Sequence, residues 1–589
     1  MGADTPPTLR FDNMATHTTT YLAHFLRDIR ADSLDDVQPA VRAAEHAARE
    51  GNWVGGFISY DAAPAFDDAL TVTSHSKNPL PLAWFGVFAE ARVANFELAR
   101  SSRAQSRPNW SLNTEESDYV QRVEDIRDRI RAGDVYQVNF TTRATTTDPI
   151  DPIELYRQLL VAQQPQYGAL ITHDEFAVVS ASPELFFEWH HSLLRCRPMK
   201  GTQRRGYFVG EDDALATSLL SSHKEQAENI MIVDLVRNDM AKVAQLGSVK
   251  VQSLLELEPY PNVWQLVSEI TCETEPGVGF TDVVAALFPS GSVTGAPKPS
   301  AMSLIASIEE TPRGVYCGAV GLLEPIDDGV HATFNVAIRT AVITAQGGEF
   351  GSGGGIVTNS ESSREYGEML LKAQQLRSPP PQGYRLLETF RHIPEGPTKV
   401  RERHLARLQR SALRLGFRWP ADLSDVVHRR LALVEYEARV RVLLSLDGRL
   451  SIQHSPAPER SDKPVRLVLD DEAVASDDLM LFHKTTRRSL YNRRQRRFPS
   501  ADDVIMVNER GECTEVTTAN FAVRRGSAWL TPPLSSGCMP GIAREVLLER
   551  GEISEGVVLA KDLVSTDDIA VFNSLRGWRR ALLASSPTQ

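Results

Sequence analysis

The sequence predicts an α+β chain built as two units, and three observations carry that expectation. At 589 residues the chain is longer than one ordinary core supports, and length alone sets a prior of about two to four domains. The stretch RSPPPQG (377–383) reads as a linker, because consecutive prolines stiffen the backbone and forbid both helix and central strand. On both sides of it, segments with a 3.6-residue apolar stripe alternate with segments of period two. The expected divisions are 1–110, an N-terminal part of the first unit; 111–376, its catalytic part; the linker 377–383; and the second unit, 384–589.

Composition narrows the class. Apolar content of 42% and charged content of 24% are those of an ordinary globular protein. The five cysteines, Cys196, Cys272, Cys317, Cys513 and Cys538, form no C-x-x-C pair, which argues for reduced thiols and against zinc or a disulfide frame. No apolar run reaches the roughly 18 residues of a membrane span, and MGADTPPTLRFD is no signal peptide, so a cytoplasmic protein without membrane association is expected. The net charge of −12 disfavours nucleic-acid binding. The exception is KTTRRSLYNRRQRRF (484–498), with six arginines and a lysine; this reads either as a nucleic-acid patch or, more simply, as part of a site for an anionic small molecule.

Taken in order, GNWVGGFISYDAAPAFD (51–67) and PLAWFGVF (81–88) read as strands with aromatic packing. A helix capped by Thr114 follows, with Glu115 and Glu116 at its positive end, Val120, Val123, Ile126 and Ile130 as its stripe, and Gly133 as its stop. VYQVNFT (135–141) alternates as a half-buried strand, with Gln137, Asn139 and Thr141 on the polar face. The stretch from Ser182 to Thr202 is a strand-turn-strand pattern that sets Glu184 and Lys200 on the two sides of its turn. A lysine in a Gly-Thr turn with an acid one hairpin away has the parts of an amine nucleophile with an acid partner; the simpler reading is an exposed turn lysine. Glu225 with Glu228, and Glu365 with Glu368, each share a helix face, so four carboxylates could meet a hard cation such as Mg2+. Glu368 also stands four residues before Lys372, an ordinary surface ion pair. The run 332–344 alternates so that Asn335, Ala337 and Arg339 share a face, making Arg339 a candidate for gripping a carboxylate. Gly353, Gly354 and Gly355 would let backbone N–H groups approach an anion. GSVTGAPK (291–298) has the wrong spacing for a phosphate loop. In the second unit, 384–393 reads as a strand, 401–417 as a helix closed by Gly416, and 439–453 as a hairpin turning at Asp447-Gly448.

Six ordered motifs resemble one family: RPMKGT, AENIMIVDLVRND (227–239), FPSGSVTGAPKPSAM (288–302), GVYCGAVG (314–321), FNVAIRT (334–340), and GGGIV with EYGEMLLKA (353–373) are similar to the chorismate-utilising enzymes. The resemblance implies a β-sandwich core flanked by helices. It implies magnesium held by Glu228 and Glu368 with Glu225 and Glu365 in support, and a chorismate pocket bordered by Thr294, Gly295, Lys298, Arg339, Gly354 and Gly355. In that family, anthranilate synthases usually carry Ala before the Gly-Thr turn, whereas the branch making 4-amino-4-deoxychorismate carries Lys; here it is Lys200. Where many relatives have a histidine, this chain has Gln265.

Most of 384–578 resembles the fold-type IV pyridoxal-phosphate enzymes, which have a two-subdomain fold. HLARL places Arg407 at the cofactor phosphate, HKTT makes Lys484 the lysine that carries the cofactor, and ECTEVTTANF sets Glu515 beside the pyridine nitrogen. Thr518, Ala519, Asn520, Gly541 and Ile542 fall on the cofactor-lining loops, and Ala543 stands where relatives often have a hydroxyl. Together the resemblances imply amination of chorismate with Lys200 as nucleophile and Glu184 as acid, then pyridoxal 5'-phosphate-dependent loss of pyruvate to give 4-aminobenzoate, with Lys484 as acid-base group. None of the cysteines sits in a glutaminase motif, so ammonia is expected from a separate glutamine amidotransferase subunit or from solution. A homodimer through the second unit is the family's habit. The alternatives are an anthranilate- or isochorismate-forming first unit, a transaminase second unit, and a second unit that is a cofactor-free scaffold.

Overall fold

The computed structural model describes residues 6–73, 80–96, 108–327, 329–377, 383–563 and 568–584. Most of the expected linker, residues 378–382, lies outside the described residues. The chain divides into two compact units, Met1–Arg204 with Ala216–Pro380, and Arg205–Leu215 with Pro381–Gln589.

The first unit is built on an 18-stranded sheet folded over itself with helices outside. Strand Trp53–Ile58 is buried on both faces. Val54 and Ile58 face the layer under helix Leu34–Arg49, where Val37, Val41, Ala44 and Ala48 are buried. Phe57 points into a second layer with Leu9, Trp84, Phe88 and Phe176. Gly56 is required where two strands meet, since a Cβ there would lie 2.0 Å from the Trp84 carbonyl.

Helix Glu116–Ala132 is capped by Glu115, one residue later than the expected Thr114, and ends at Gly133, whose φ of 85° is the left-handed stop predicted for it. Its buried stripe is Tyr119, Val123, Ile126 and Ile130, with Tyr119 in place of the expected Val120. Strand Gln137–Thr146 departs from the half-buried expectation, because its polar face is buried as well: Gln137 is 0% exposed, Asn139 7% and Thr141 4%. Asn139 lines a pocket and Thr141 donates to Glu309 at 2.8 Å, so the polarity of that face answers to the interior and not to solvent.

The second unit has a three-stranded antiparallel sheet, Leu386–His392, Ala438–Leu444 and Leu450–Pro456. It is packed by helices Lys399–Leu415 and Leu423–Leu431 over Leu405, Leu408, Ala412, Val427 and Val440. Gly416 caps the first helix at φ 75°, and Gly448 turns the hairpin at φ 85°. An eight-stranded mixed sheet follows. Tyr207 and Phe208, from the segment Arg205–Leu215 that belongs to this unit, pack on Phe482.

Candidate active sites

The first pocket is assembled by register. The hairpin pairs Leu185 with Arg197, which carries Glu184 to the level of Met199 and Lys200. Strand Met199–Arg204 then pairs with Val263–Glu273, with a register shift between Met199 and Thr202. Lys200 and Gly201 occupy that irregularity, and Gly201 takes φ 95°; bulges of this kind re-aim a side chain. Asn229, on helix His223–Met240, donates to the Lys200 carbonyl at 3.1 Å and accepts from Ser268 at 2.6 Å. It therefore fixes the bulge to the helix that bears Glu225 and Glu228.

One pocket is lined by Glu184, Lys200, Glu225, Glu228, Gln265, Arg339, Gly354, Gly355, Glu365 and Glu368, among others. Glu184 is 3% exposed and accepts from Ser292 Oγ at 2.6 Å. Burial pushes its carboxyl up to about 7, against the opposing pull of Ser292 and Lys200. Arg339 has a buried Nη1 with no hydrogen-bond partner, and burial lowers its guanidinium to about 10. The expected single strand 332–344 is in fact broken: one strand ends at Val336, the next starts at Thr340, and Arg339 sits between them at φ 54°. Arg339 thus reaches the pocket from a left-handed break, and Asn335 on the supposed common face instead donates to the Tyr167 carbonyl. The three glycines, expected as an anion-binding turn, lie in strand Gly347–Ile356 with Gly355 opposite Asn139. Gly355 is needed for clearance, since a Cβ there would lie 2.3 Å from Lys200 Nζ and 2.8 Å from Gln137 Nε2.

Three expected pocket residues do not line it. Thr294 and Gly295 are paired along the edge of strand Gln137–Thr146: Asn139 N donates to the Thr294 carbonyl, and Gly295 pairs with Val138. Lys298 is buried and ion-paired to Asp239 at 2.7 Å. Ser292 and Val293 from the same loop line the pocket instead. Two groups went unpredicted in function. Gln137 is fully buried beside Lys200 with both amide atoms unpartnered. Arg313 donates to the Val293 and Asn139 carbonyls at 2.6 and 2.7 Å, holding two walls together. The signal for Gln137 was present, as a polar residue on an alternating strand; Arg313 left none.

The four glutamates face one another across helices His223–Met240 and Ser362–Ala373. Burial first, then the neighbouring acids, raises Glu225 and Glu365. Lys372, at 2.8 Å, holds Glu368 down to about 2. Glu228 Oε1 is buried without a hydrogen-bond partner. Among the described residues no three acid, histidine or cysteine groups are gathered tightly enough to hold an ion. The donor chemistry and the orphaned Glu228 oxygen nevertheless suit a hard cation.

In the second unit a pocket is lined by His404, Arg407, Lys484, Arg487, Arg488, Glu515, Thr518, Ala519, Asn520, Gly541, Ile542 and Ala543, among others. Lys484 does not belong to the basic helix, which spans Ser489–Arg497; it precedes it on a segment pinned to the three-stranded sheet, with Leu387 N donating to the Lys484 carbonyl at 2.9 Å. The helix's Arg494 and Arg497 pair instead with Asp470 at 3.0 Å each, so its charge is balanced internally. Burial, reinforced by Arg407, lowers the Lys484 amine to about 8. Arg407 is fixed by Glu388 at 2.7 and 2.8 Å and by the Pro540 carbonyl at 2.8 Å. His404 donates to Glu388 through Nδ1–H at 2.6 Å and leaves its buried Nε2 unpartnered. Glu515 accepts from Tyr491 at 3.0 Å and from Met539 N at 3.2 Å, and burial raises it to about 7. Gly541 caps helix Ile542–Glu549, where a Cβ would strike Asn520 Oδ1 at 2.0 Å. A fixed arginine, helix N–H groups, an amine and a carboxylate lining one pocket fit a phosphorylated pyridine aldehyde.

Residues 6–378 match the chorismate binding enzyme family. The chain belongs to that family. Residues 385–583 match amino-transferase class IV. The chain is 35% identical over 275 residues to aminodeoxychorismate synthase component 1 of Bacillus subtilis, covering 47% of this chain and 58% of that protein. It is 39% identical over 258 residues to an anthranilate synthase component 1 of Haloarcula marismortui, covering 44% and 52%. It therefore spans between half and two-thirds of the length of these relatives. Anthranilate synthase component I from Streptococcus pneumoniae shares the chorismate-binding fold, with a TM-score of 0.54 at 24% identity over 62% of this chain and 92% of that one. Among the described residues no helix is long and apolar enough to cross a membrane.

Proposed function

We propose that the chain performs two consecutive steps toward 4-aminobenzoate, a folate precursor. The first is amination of chorismate to 4-amino-4-deoxychorismate, and the second is elimination of pyruvate from that product. The observation that carries this reading is the pairing of Lys200 with Glu184 in one pocket; relatives of both synthase types match the chain, and the lysine favours the amino-deoxy branch.

In the first pocket Arg339 grips a substrate carboxylate, supplying the bidentate donors that its unpartnered Nη1 now lacks a use for. Glu184, still protonated near neutrality, gives its proton to the ring hydroxyl, which leaves as water while the Lys200 amine bonds to the ring. Ammonia then bonds to the ring as the lysine C–N bond breaks, restoring Lys200. Magnesium would be held among Glu228 and Glu368, with Glu225 and Glu365 in support, and would supply positive charge for a substrate carboxylate. In the second pocket Arg407 and the N–H groups at Gly541–Ala543 would hold the phosphate of pyridoxal phosphate, and Glu515 would keep its ring nitrogen protonated. The cofactor supplies an electron sink. Lys484 would take the proton from the amine-bearing carbon as the ring C–O bond breaks and the ring becomes aromatic, and would return it to the methylene carbon of the departing enolpyruvyl group, which leaves as pyruvate.

All five cysteines are buried, and burial pushes Cys272 and Cys317 up to about 11 and Cys513 and Cys538 to about 12. None has the exposed, activated thiol of a glutaminase, so ammonia comes from a separate amidotransferase subunit or from solution, in a cytoplasmic setting. The test supplies purified protein with chorismate, Mg2+, ammonium and pyridoxal phosphate and separates the products by chromatography. Appearance of 4-aminobenzoate and pyruvate in equal amounts supports the reading, and anthranilate as the product overturns it.

A further inference from the structure

Lys224 stands where no sequence motif assigned a role. It lies in the first turn of helix His223–Met240, where the helix's partial positive charge disfavours an ammonium, and it precedes Glu228 by four residues, the weaker orientation for a helical ion pair. Local helix energetics therefore do not account for it. Its Nζ instead reaches 3.7 Å from Glu228 Oε1 and 3.8 Å from Glu365 Oε1, bridging the two helices. Both distances exceed hydrogen-bond length, and Glu228 Oε1 has no other partner. The Lys224 side chain is 33% exposed, against 9% and 8% for the two glutamates. A charge held at that distance, on a flexible stem with a path to water, balances the buried acids without being locked to them. Glu368 differs, being bonded to Lys372 at 2.8 Å.

We propose that Lys224 is a displaceable counter-ion. It neutralises Glu228 and Glu365 while the divalent cation is away and swings to solvent when the cation arrives, so that metal affinity is set by competition with its ammonium. This rests on the magnesium reading above. The test is calorimetric titration of the full chain with MgCl2, alongside thermal unfolding with and without Mg2+. Lys224→Met is expected to tighten Mg2+ binding about tenfold, and to lower the metal-free Tm by about 2–4 °C with the gap closing at saturating Mg2+. Lys224→Arg, which keeps the charge, is expected to lie nearer the wild type in both. If Lys224→Met binds Mg2+ with the wild-type Kd or more weakly, the counter-ion role is overturned while the metal site stands. If the wild-type protein takes up no Mg2+ at all, the metal reading itself fails.

Discussion

The two pockets use the same pair of residue types under opposite surroundings. Each holds a lysine and a buried glutamate raised to about 7, Glu184 in one and Glu515 in the other. Around Lys200 the lining is of mixed sign, with Glu225, Glu228, Glu365 and Glu368 interleaved with Lys224, Arg339 and Lys372. Around Lys484 it is chiefly basic, with Arg407, Arg487 and Arg488 and the single carboxylate Glu515. The second pocket is thus an anion site as it stands, and burial, with Arg407 adding to it, lowers Lys484 to about 8. The first has carboxylates to be bridged as well as an arginine to be filled. What a lysine can do is decided by the charges placed around it, and the backbone decides those.

The comparison breaks most sharply at the lysines. Lys200→Ala should lower 4-aminobenzoate formation from chorismate by about 10³ or more, and Lys484→Ala should do the same while leaving chorismate consumption intact and accumulating the amino intermediate; product chromatography separates the two. Glu184→Gln should slow amination by about 10²–10⁴. Because Glu184 acts as the protonated form, wild-type amination should fall as pH rises through about 7, and the variant should lose that limb in a pH–rate profile. Equal profiles for both proteins would remove Glu184 from the chemistry.

A smaller effect sharpens the contrast from the second pocket. Burial opposes ionisation of Glu388, but Arg407 and His404 outweigh it and hold the carboxyl at about 2. Glu388→Gln should leave Arg407 uncompensated, destabilise the second unit by about 3 kcal/mol and weaken pyridoxal phosphate binding, read by absorbance titration, with chorismate consumption unaffected. The smallest effect lies outside both pockets. Glu188 and Glu324 raise His331 to about 9. A raised folded pKa gives stability that is fully present below the unfolded value of about 6.5 and lost as pH climbs to about 9, here about 1–2 kcal/mol. His331→Gln should abolish that slope in thermal melts between those pH values.

Much of this was legible in the sequence where local periodicity and local chemistry agree. Helix Lys399–Leu415 with Gly416, and the hairpin at Gly448, follow from stripe, stop and turn residues. The co-location of Lys200, Glu184, Arg339 and the glutamates followed from ordered motifs. What stayed hidden depends on tertiary geometry. Alternation over 332–344 could not show the left-handed break that delivers Arg339, because Ala337 and Ile338 are compatible with a continuous strand. Thr294, Gly295 and Lys298 sit in a matching motif yet do not line the pocket, Thr294 and Gly295 being paired with strand Gln137–Thr146 and Lys298 drawn off by Asp239, a partner 59 residues away. The polar face of strand Gln137–Thr146 looked like a solvent face because period two carries no information about what covers it. Arg494 and Arg497 looked like an anion patch until Asp470 was placed against them.

The central claim, two separate sites each depending on its own lysine, is tested most directly by mixing. Lys200→Ala protein and Lys484→Ala protein, each alone with chorismate, Mg2+, ammonium and pyridoxal phosphate, should make no 4-aminobenzoate. Combined in one vessel they should make it, because the intermediate released by the intact Lys200 site is consumed by the intact Lys484 site. A mixture as inactive as its components, with no intermediate detected from the Lys484→Ala protein, would contradict the account.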